Sequence, residues 1–146
     1  MVLLARDIME PKVLMVPAST DALSCARLMV AQRKGYAVVQ GPNGTVVGIV
    51  TEWDFLERVL APGQDPAQVR VGDLASPIVR PCAPDTPAED VVATMAAEGI
   101  RRMVVRSGDT VVGIITSRDV LAMFRQYVDK LSSEIAGYHS DPPPLG

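Results

Sequence analysis

The chain has 146 residues, a length that accommodates one compact domain or two very small ones. Hydrophobic residues make up 48% and charged residues 21%, a balance typical of a folded globular protein rather than a disordered one. Fourteen basic residues against seventeen acidic residues give a net charge of −3 without any basic run, so nucleic-acid binding through bulk charge is not expected.

The cysteines and the one histidine limit metal and redox chemistry. Cys25 and Cys82 lack zinc-motif spacing, and His139 alone cannot complete a Cys/His site, so we expect reduced thiols and no metal site. Asp7 comes too early for a secretory signal peptide, and no apolar run approaches the roughly 20 residues of a membrane span. These features predict a cytoplasmic protein that does not contact a membrane.

The first 60 residues predict a strand, a helix, two further strands and a second helix. An extended segment at residues 13–16 precedes a helix with apolar residues at helical spacing, namely Ala22, Leu23, Ala26, Leu28 and Met29. Residues 36–39 and 45–50 predict a hairpin around Asn43-Gly44, a dipeptide that tolerates the positive φ of a tight turn. A helix over residues 52–60 follows.

The same pattern then returns as a second copy. Residues 48–54 (GIVTEWD) correspond to residues 113–119 (GIITSRD) with an offset of 65, and Val38-Val39 corresponds to Val104-Val105 with an offset of 66. The slip of one residue falls in a turn, where a change of length is tolerated. The sequence therefore contains a tandem duplication, and two packed copies solve the problem that one alone buries little surface.

The second copy predicts the same elements in the same order. Residues 78–82 are extended, and Thr86-Pro87-Ala88-Glu89 is a typical helix start with Thr86 as the N-cap. Residues 103–105 and 110–115 form the second hairpin. The last helix starts at Ser117 and runs through Tyr127 to Ile135, which makes it longer than its counterpart.

These elements define the expected domain organisation. The first repeat covers residues 1–62, a linker covers 63–66, and the second repeat with its long helix covers 67–135. The Pro-rich residues 136–146 are expected to form a flexible tail.

Both copies close their hairpin with Gly-hydrophobic-hydrophobic-Thr-x-x-Asp and begin with Asp-hydrophobic (Asp7-Ile8 and Asp73-Leu74). This pattern resembles the CBS domain, named after cystathionine β-synthase, and the tandem resembles a CBS pair, or Bateman module, over about residues 5–131. The resemblance implies an α/β (α+β) fold in which two β-α-β-β-α repeats pack with pseudo-two-fold symmetry.

The resemblance also implies a regulatory role. CBS pairs bind adenosine-type ligands such as AMP, ADP, ATP, S-adenosylmethionine or a dinucleotide in the cleft between the repeats. They usually accompany an enzyme or channel domain, for which this chain has no room. It therefore resembles a stand-alone pair that senses an adenine nucleotide, requires no other cofactor, and acts on an unknown partner protein in trans.

Thr51, Asp54, Thr116 and Asp119 are candidate binding residues. Each Thr lies where a strand turns into a helix, so the next backbone N–H groups are expected to point outward and bind an anion. Each Asp could accept two hydrogen bonds from a ribose diol, as the matching Asp does in similar CBS domains. The alternative is a capping box that stabilises the helix without a ligand.

The two copies differ in charge near these motifs. The second copy has Arg101-Arg102 before its middle strand and Arg118 inside its closing motif, three guanidinium groups that could converge on a phosphate. The first copy has Gly35-Tyr36 and Trp53 at these positions, and its Glu52 would repel an anion. We therefore expect the phosphate-rich site at Thr116 and Asp119. The Asp54 site is expected to be weaker, to be empty or to take a less charged ligand. The alternative is that the arginines are solvated surface charges.

In similar modules the purine is held near the first extended segment and the middle strand. The matching residues here are Val13, Val16, Ala37, Val79, Cys82 and Met103. Each is equally consistent with an aliphatic core. Trp53 could stack on a base or lie in an interface.

Catalysis is not expected, because neither a catalytic triad nor a Walker-type loop can be assembled. The alternative function is a ligand-independent dimerisation module. Related pairs form homodimers through their helices, and Phe55, Leu56, Val59, Leu60, Val120, Leu121 and Phe124 could supply that interface. The extension to Ile135 is expected to pack against the dimer partner.

Overall fold

The computed structural model describes residues 2–78 and 80–140, with side chains up to residue 137. In chain order its elements are α1 (Ala5–Ile8), β1 (Met15–Pro17), α2 (Ala22–Gln32), β2 (Tyr36–Gln40), β3 (Val46–Thr51), α3 (Glu52–Phe55) continued by a π-helical turn (Leu56–Leu60), α4 (Val71–Leu74), α5 (Ala88–Glu98), β4 (Arg102–Ser107), β5 (Thr110–Thr116) and α6 (Ser117–Ser140). Mixed helices and sheets in two copies confirm the expected fold class. The short helices α1 and α4 were not expected from the sequence.

The two sheets differ in their first strand. In the first sheet β1 is parallel to β2, and β2 is antiparallel to β3. In the second sheet β4 and β5 are antiparallel, and the third strand is reduced to a single parallel bridge between Cys82 and Val105. The prediction of a strand over residues 78–82 is therefore wrong for the described residues of this segment, apart from Cys82. Pro81 beside it gives a reason, because proline cannot donate a hydrogen bond to a neighbouring strand.

The hairpins keep a trace of the duplication. The register of β2 against β3 shifts between Val39 and Gln40, and that of β4 against β5 shifts between Val105 and Arg106. Because these are equivalent positions in the two copies, the irregularity is a shared feature of the repeat.

The start of α5 differs from the sequence prediction. The helix begins at Ala88 after Pro87, without a side-chain cap. Thr86, expected to be the N-cap, instead accepts a hydrogen bond through Oγ1 from the Ala83 N–H at 3.0 Å and closes the preceding turn. The helix ends at Gly99, whose φ of 64° lies in the left-handed region that glycine adopts without strain.

The two short helices are exchanged between the copies. Ala5 of α1 lies in the core of the second copy, whereas Val71 and Leu74 of α4 lie in the core of the first. Backbone hydrogen bonds fix this arrangement, from Ala5 N–H to Thr86 O at 2.7 Å and from Val71 N–H to Thr20 O at 2.9 Å. The boundaries expected from the sequence therefore do not separate the packing units, since each core contains a segment of the other repeat.

A third buried cluster joins the two sheets and forms the floor between the copies. It contains Tyr36 and Val38 from β2 and Val104, Val111 and Ile114 from β4 and β5. The two hairpins pack against each other. The start of β2 therefore lies on one side of a groove, and the end of β5 with the residues that follow it lies on the other.

Helix α6 continues beyond the end predicted at Ile135. It is helical to Ser140, so residues 136–140 of the expected tail are helix, whereas residues 141–146 lie outside the described residues. Most of its apolar side chains are exposed, including Leu121 (67%), Phe124 (61%) and Ile135 (56%). Within the described part of the chain, none of the helices has the length and apolar character needed to cross a membrane.

Candidate functional site

A cleft of about 870 Å³ lies between the two copies, and we refer to it as the larger cleft. From the first copy it is lined by Glu10 before β1, the turn from α2 to β2 and the start of α3. From the second copy it is lined by the start of β4 and the junction of β5 and α6. The five second-copy residues expected to bind the phosphate and the sugar all line it: Arg101, Arg102, Thr116, Arg118 and Asp119.

The β5–α6 junction is a capping box, as the alternative interpretation of the motif predicted. Asp119 Oδ2 accepts hydrogen bonds from the Thr116 N–H at 2.8 Å and from Thr116 Oγ1 at 2.9 Å. Both of these hydrogen bonds use Oδ2, and none of the hydrogen bonds among the described residues uses the other carboxylate oxygen, Oδ1. Asp119 can therefore cap the helix and still accept a hydrogen bond from a ligand.

The backbone N–H groups at this junction are less available than expected. The Ser117 N–H donates to Arg101 O at 2.9 Å, and the Asp119 N–H donates to Thr116 Oγ1 at 3.2 Å. In the first copy the Glu52 N–H donates to Gly35 O at 3.2 Å. The sequence predicted an anion site built from unpartnered N–H groups. That prediction is wrong for Ser117, Asp119 and Glu52, because each of their N–H groups already donates a hydrogen bond within the protein.

The larger cleft is positively charged in a negatively charged chain. Five basic and three acidic side chains line it: Arg33, Lys34, Arg101, Arg102, Arg118, Glu10, Glu52 and Asp119. Two of the basic groups are paired. The Arg102 Nη2 atom lies 3.4 Å from Glu52 Oε1, and the Lys34 Nζ atom lies 3.6 Å from Glu10 Oε1.

Arg101 and Arg118 take part in none of the ion pairs formed among the described residues. Both are exposed at the cleft. Glu52, expected to repel an anion from the first copy, instead neutralises Arg102 of the second. Apart from the two pairs, Arg33, Arg101 and Arg118 against Asp119 give the larger cleft its net positive charge.

Tyr36 is a site residue that sequence reasoning missed. It lines the larger cleft but is only 3% exposed, and its buried hydroxyl lies near the Leu14 backbone without a hydrogen bond of good geometry among the described residues. Burial raises the pKa of Tyr36, and the charges of Glu10 and Asp119 raise it further, against opposing effects of the Leu14 N–H and Arg102. The available signal was its alignment with Arg102, which was interpreted only as loss of a basic residue.

A smaller cleft of about 290 Å³ occupies the pseudo-equivalent position. Thr51 lines it where Thr116 lines the larger cleft, and it also contains Arg80, Ile100 and Val104. Arg101 and Arg102 line both clefts.

Asp54 is not among the residues that line either cleft. Its Oδ2 accepts hydrogen bonds from the Thr51 N–H at 2.7 Å and from Thr51 Oγ1 at 3.1 Å, so it caps α3 as Asp119 caps α6. The first copy therefore keeps the cap of the closing motif but does not present its carboxylate to a cleft.

The residues expected near a purine lie in the protein interior. Val16 and Ala37 are fully buried in the core of the first copy, Met103 is 2% exposed in that of the second, and Cys82 packs against the latter. None of the four lines either cleft. Their burial corresponds to the aliphatic-core alternative, while Val79 lies outside the described residues.

The cysteines are placed as inert thiols. Burial raises the pKa of Cys25 to about 11 and also raises that of Cys82, which disfavours the reactive thiolate. Across residues 2–78 and 80–140, no group of three or more His, Cys, Asp or Glu residues is arranged to hold a metal ion.

Residues 5–61 and 71–125 both match the CBS domain. Because these two segments cover most of the chain, it belongs to the CBS domain family and carries two such domains in tandem.

Similar proteins agree with this assignment. An uncharacterized protein of Methanopyrus kandleri is 27% identical over 108 residues, which are 73% of this chain and 55% of that protein. The chain thus spans about half the length of this relative. An uncharacterized conserved protein from Pyrococcus horikoshii has a crystal structure that superimposes with a TM-score of 0.77 at 30% identity, covering 84% of this chain and 92% of that one.

A CBS domain pair solved in complex with 5′-methylthioadenosine and S-adenosyl-L-methionine also has this fold. It superimposes with a TM-score of 0.77 at 22% identity and covers 86% of this chain and 98% of that one.

Proposed function

We propose that this CBS pair is a cytoplasmic regulatory module that binds an adenosine-type ligand in its larger cleft and acts on a partner protein. The observation that carries the proposal is that one cleft holds Arg101 and Arg118 without ion pairs and Asp119 with its Oδ1 atom available. The proposal assigns these residues to binding and none to catalysis.

The side chains match the parts of a nucleotide. Arg101 and Arg118 provide planar guanidinium groups, each of which can donate two parallel hydrogen bonds to phosphate oxygens. Asp119 provides a carboxylate oxygen for a sugar hydroxyl. The volume of about 870 Å³ lies within the range of small-molecule sites, which is about 300–1,000 Å³.

The CBS pair solved with 5′-methylthioadenosine and S-adenosyl-L-methionine supports an adenosyl ligand, since it shares the fold. Neither of those ligands carries a phosphate. Arg101 and Arg118 lead us to favour AMP, ADP or ATP for this chain.

The mechanism follows from the position of the cleft. Because both copies line it, a ligand contacts both and favours the relative arrangement in which those contacts are made. The Glu52–Arg102 ion pair crosses the same boundary, so a ligand phosphate that engages Arg102 competes with Glu52. The changed arrangement would then alter the surface that a partner recognises.

Calorimetric titration with AMP, ADP, ATP and S-adenosylmethionine tests the proposal. We expect saturable binding of at least one nucleotide, with an affinity above that for S-adenosylmethionine because of the arginines. Absence of heat from all four ligands, checked by a thermal-shift assay, would contradict the proposed function.

A second candidate function is a homodimerisation module, which the exposed apolar surface of α6 favours. Six apolar side chains of this helix are at least 40% exposed: Leu121, Phe124, Tyr127, Val128, Leu131 and Ile135. Such a surface on a helix is typical of an interaction site. Sedimentation equilibrium at tens of micromolar should find a dimer without ligand; a monomer would contradict this candidate.

A further inference from the structure

Helix α6 leaves the body of the protein after its first turns. Val120 packs against the core of the second copy, whereas every residue from 124 to 136 is exposed. Isolated helices shorter than about 12–15 residues are marginally stable in water even when they are rich in alanine, and alanine occurs only once in this segment. A partner that covers the exposed face of the segment would therefore stabilise it.

The exposed apolar residues of α6 follow a heptad pattern. Five of them recur at alternating intervals of three and four residues, and we refer to them as the α6 seam: Leu121, Phe124, Val128, Leu131 and Ile135. The average interval of about 3.5 residues is that of a coiled coil, whereas a helix that packs against a globular core has a wider apolar stripe. The spacing therefore favours another helix as the partner.

We infer that α6 pairs along this seam with α6 of a second copy of the chain, as a parallel two-stranded coiled coil. The inference rests on the homodimerisation candidate of the proposed function and adds which residues form the interface and how the two helices run. With heptad positions written a to g, Val128 and Ile135 occupy a positions and Leu131 occupies a d position. β-Branched residues at a together with leucine at d favour two parallel helices.

The area of the exposed face is sufficient for a dimer. The five seam residues and Tyr127 beside them are each at least 40% exposed. At roughly half exposure each side chain offers about 100 Å², so two copies would bury about 1,200 Å², which is the lower end of the range for stable interfaces.

The charges on α6 are compatible with self-pairing. In a parallel coiled coil, position g of one helix faces position e of the next heptad in the other helix. Val120 would then face Arg125 of the second copy, and Tyr127 would face Ser132. Neither of these flanking pairs brings like charges together, so the helix does not repel its own copy.

The parallel orientation places the larger clefts of the two copies at the same end of the dimer. Each α6 begins in its cleft at Ser117, and the seam begins at Leu121, two residues after Asp119. An antiparallel pair would instead separate the two helix starts by up to the helix length, roughly 36 Å for 24 residues. The cleft of each copy and the second copy therefore contact the same helix.

Cysteine cross-linking of the full chain under mild oxidation tests both the seam and its orientation. Leu131→Cys places a thiol at a d position, and Ser133→Cys is the matched control at an f position on the opposite face of the helix. Wild-type protein controls for Cys25 and Cys82, which are fully and partly buried. We expect Leu131→Cys to form disulfide-linked dimers at least about tenfold faster than Ser133→Cys, because a disulfide requires close Cβ atoms.

A second measurement uses sedimentation equilibrium at tens of micromolar. Val128→Asp introduces a charge into the seam and should weaken dimerisation at least about tenfold, whereas Gln126→Glu adds the same charge at an f position and should leave it unchanged. Because residue 128 is exposed in one copy, the body of the protein should stay folded in this variant.

Three results would overturn the inference while the homodimerisation candidate stands. Equal cross-linking of Leu131→Cys and Ser133→Cys, or a dimer unaffected by Val128→Asp, would place the interface elsewhere. Faster linkage in a mixture of Leu131→Cys and Val128→Cys proteins than in either alone would make the helices antiparallel. A monomeric wild type would overturn both the inference and the homodimerisation candidate, and the nucleotide titrations would still decide the ligand-binding proposal.

Discussion

The larger and the smaller cleft occupy pseudo-equivalent positions, yet they present different chemistry. The larger cleft combines Asp119 with Tyr36 and Arg118, whereas the smaller one contains Thr51 but lacks Asp54 and is bordered by Ile100 and Val104. The hairpins, their register shifts and the capping boxes that follow β3 and β5 are common to both copies. The comparison shows that duplication supplies two equivalent clefts, and that a few side-chain replacements set the charged groups each cleft presents.

The arginines show how the clefts are coupled. Arg101 and Arg102 line both, so under the proposed function a ligand in one cleft would compete for them with a ligand in the other. Because Glu52 of the first copy pairs with Arg102, each copy also adjusts the charge presented by the other.

The largest expected effect concerns the equivalent glycines Gly48 and Gly113. Replacing each with alanine should destabilise the protein, and the loss should be larger at Gly48 than at Gly113. A Cβ at position 48 would collide with the backbone carbonyl oxygen of Ser76, which has no freedom to move aside. A Cβ at position 113 would collide with the flexible side chain of Met9.

We expect Gly48→Ala to lower the free energy of unfolding by about 3 kcal/mol and Gly113→Ala by about 1 kcal/mol. Urea denaturation measures both. Equal losses would show that the two copies tolerate crowding in the same way and would contradict this difference.

A smaller effect is expected from Arg118→Ala, which sharpens the comparison of the two clefts. Loss of a charge-assisted contact should weaken ATP binding about tenfold and leave the affinity for adenosine unchanged. Arg80→Ala is the matched control, because Arg80 lines only the smaller cleft and pairs with Glu98. If Arg80→Ala weakens ATP binding more than Arg118→Ala, the phosphate lies in the smaller cleft.

The sequence was sufficient for the features that depend on local patterns. The duplication, the two hairpins and the gathering of Arg101 and Arg118 near Asp119 follow from periodicity, turn residues and the closing motif. These residues lie near one another in the second copy, so their proximity needs no knowledge of how the copies pack.

Features that depend on packing between the copies were not predictable. Exchange of α1 and α4 requires knowing which core each short helix enters, and no periodicity in four residues encodes that. Tyr36 and Glu52 reach the second-copy site only because the two hairpins pack face to face. The loss of the strand around Cys82 was visible in Pro81, whose effect on strand pairing was underestimated.

The most direct test of the central claim is calorimetric titration of AMP into Asp119→Ala and Asp54→Ala. Both substitutions remove the same helix cap, at a cost of about 1 kcal/mol each, but only Asp119 lines a cleft. We predict that Asp119→Ala weakens AMP binding at least about tenfold, the loss expected for hydrogen bonds to a charged group, while Asp54→Ala binds like the wild type. Equal affinity in the two variants, or a greater loss in Asp54→Ala, would contradict the assignment of the larger cleft as the ligand site.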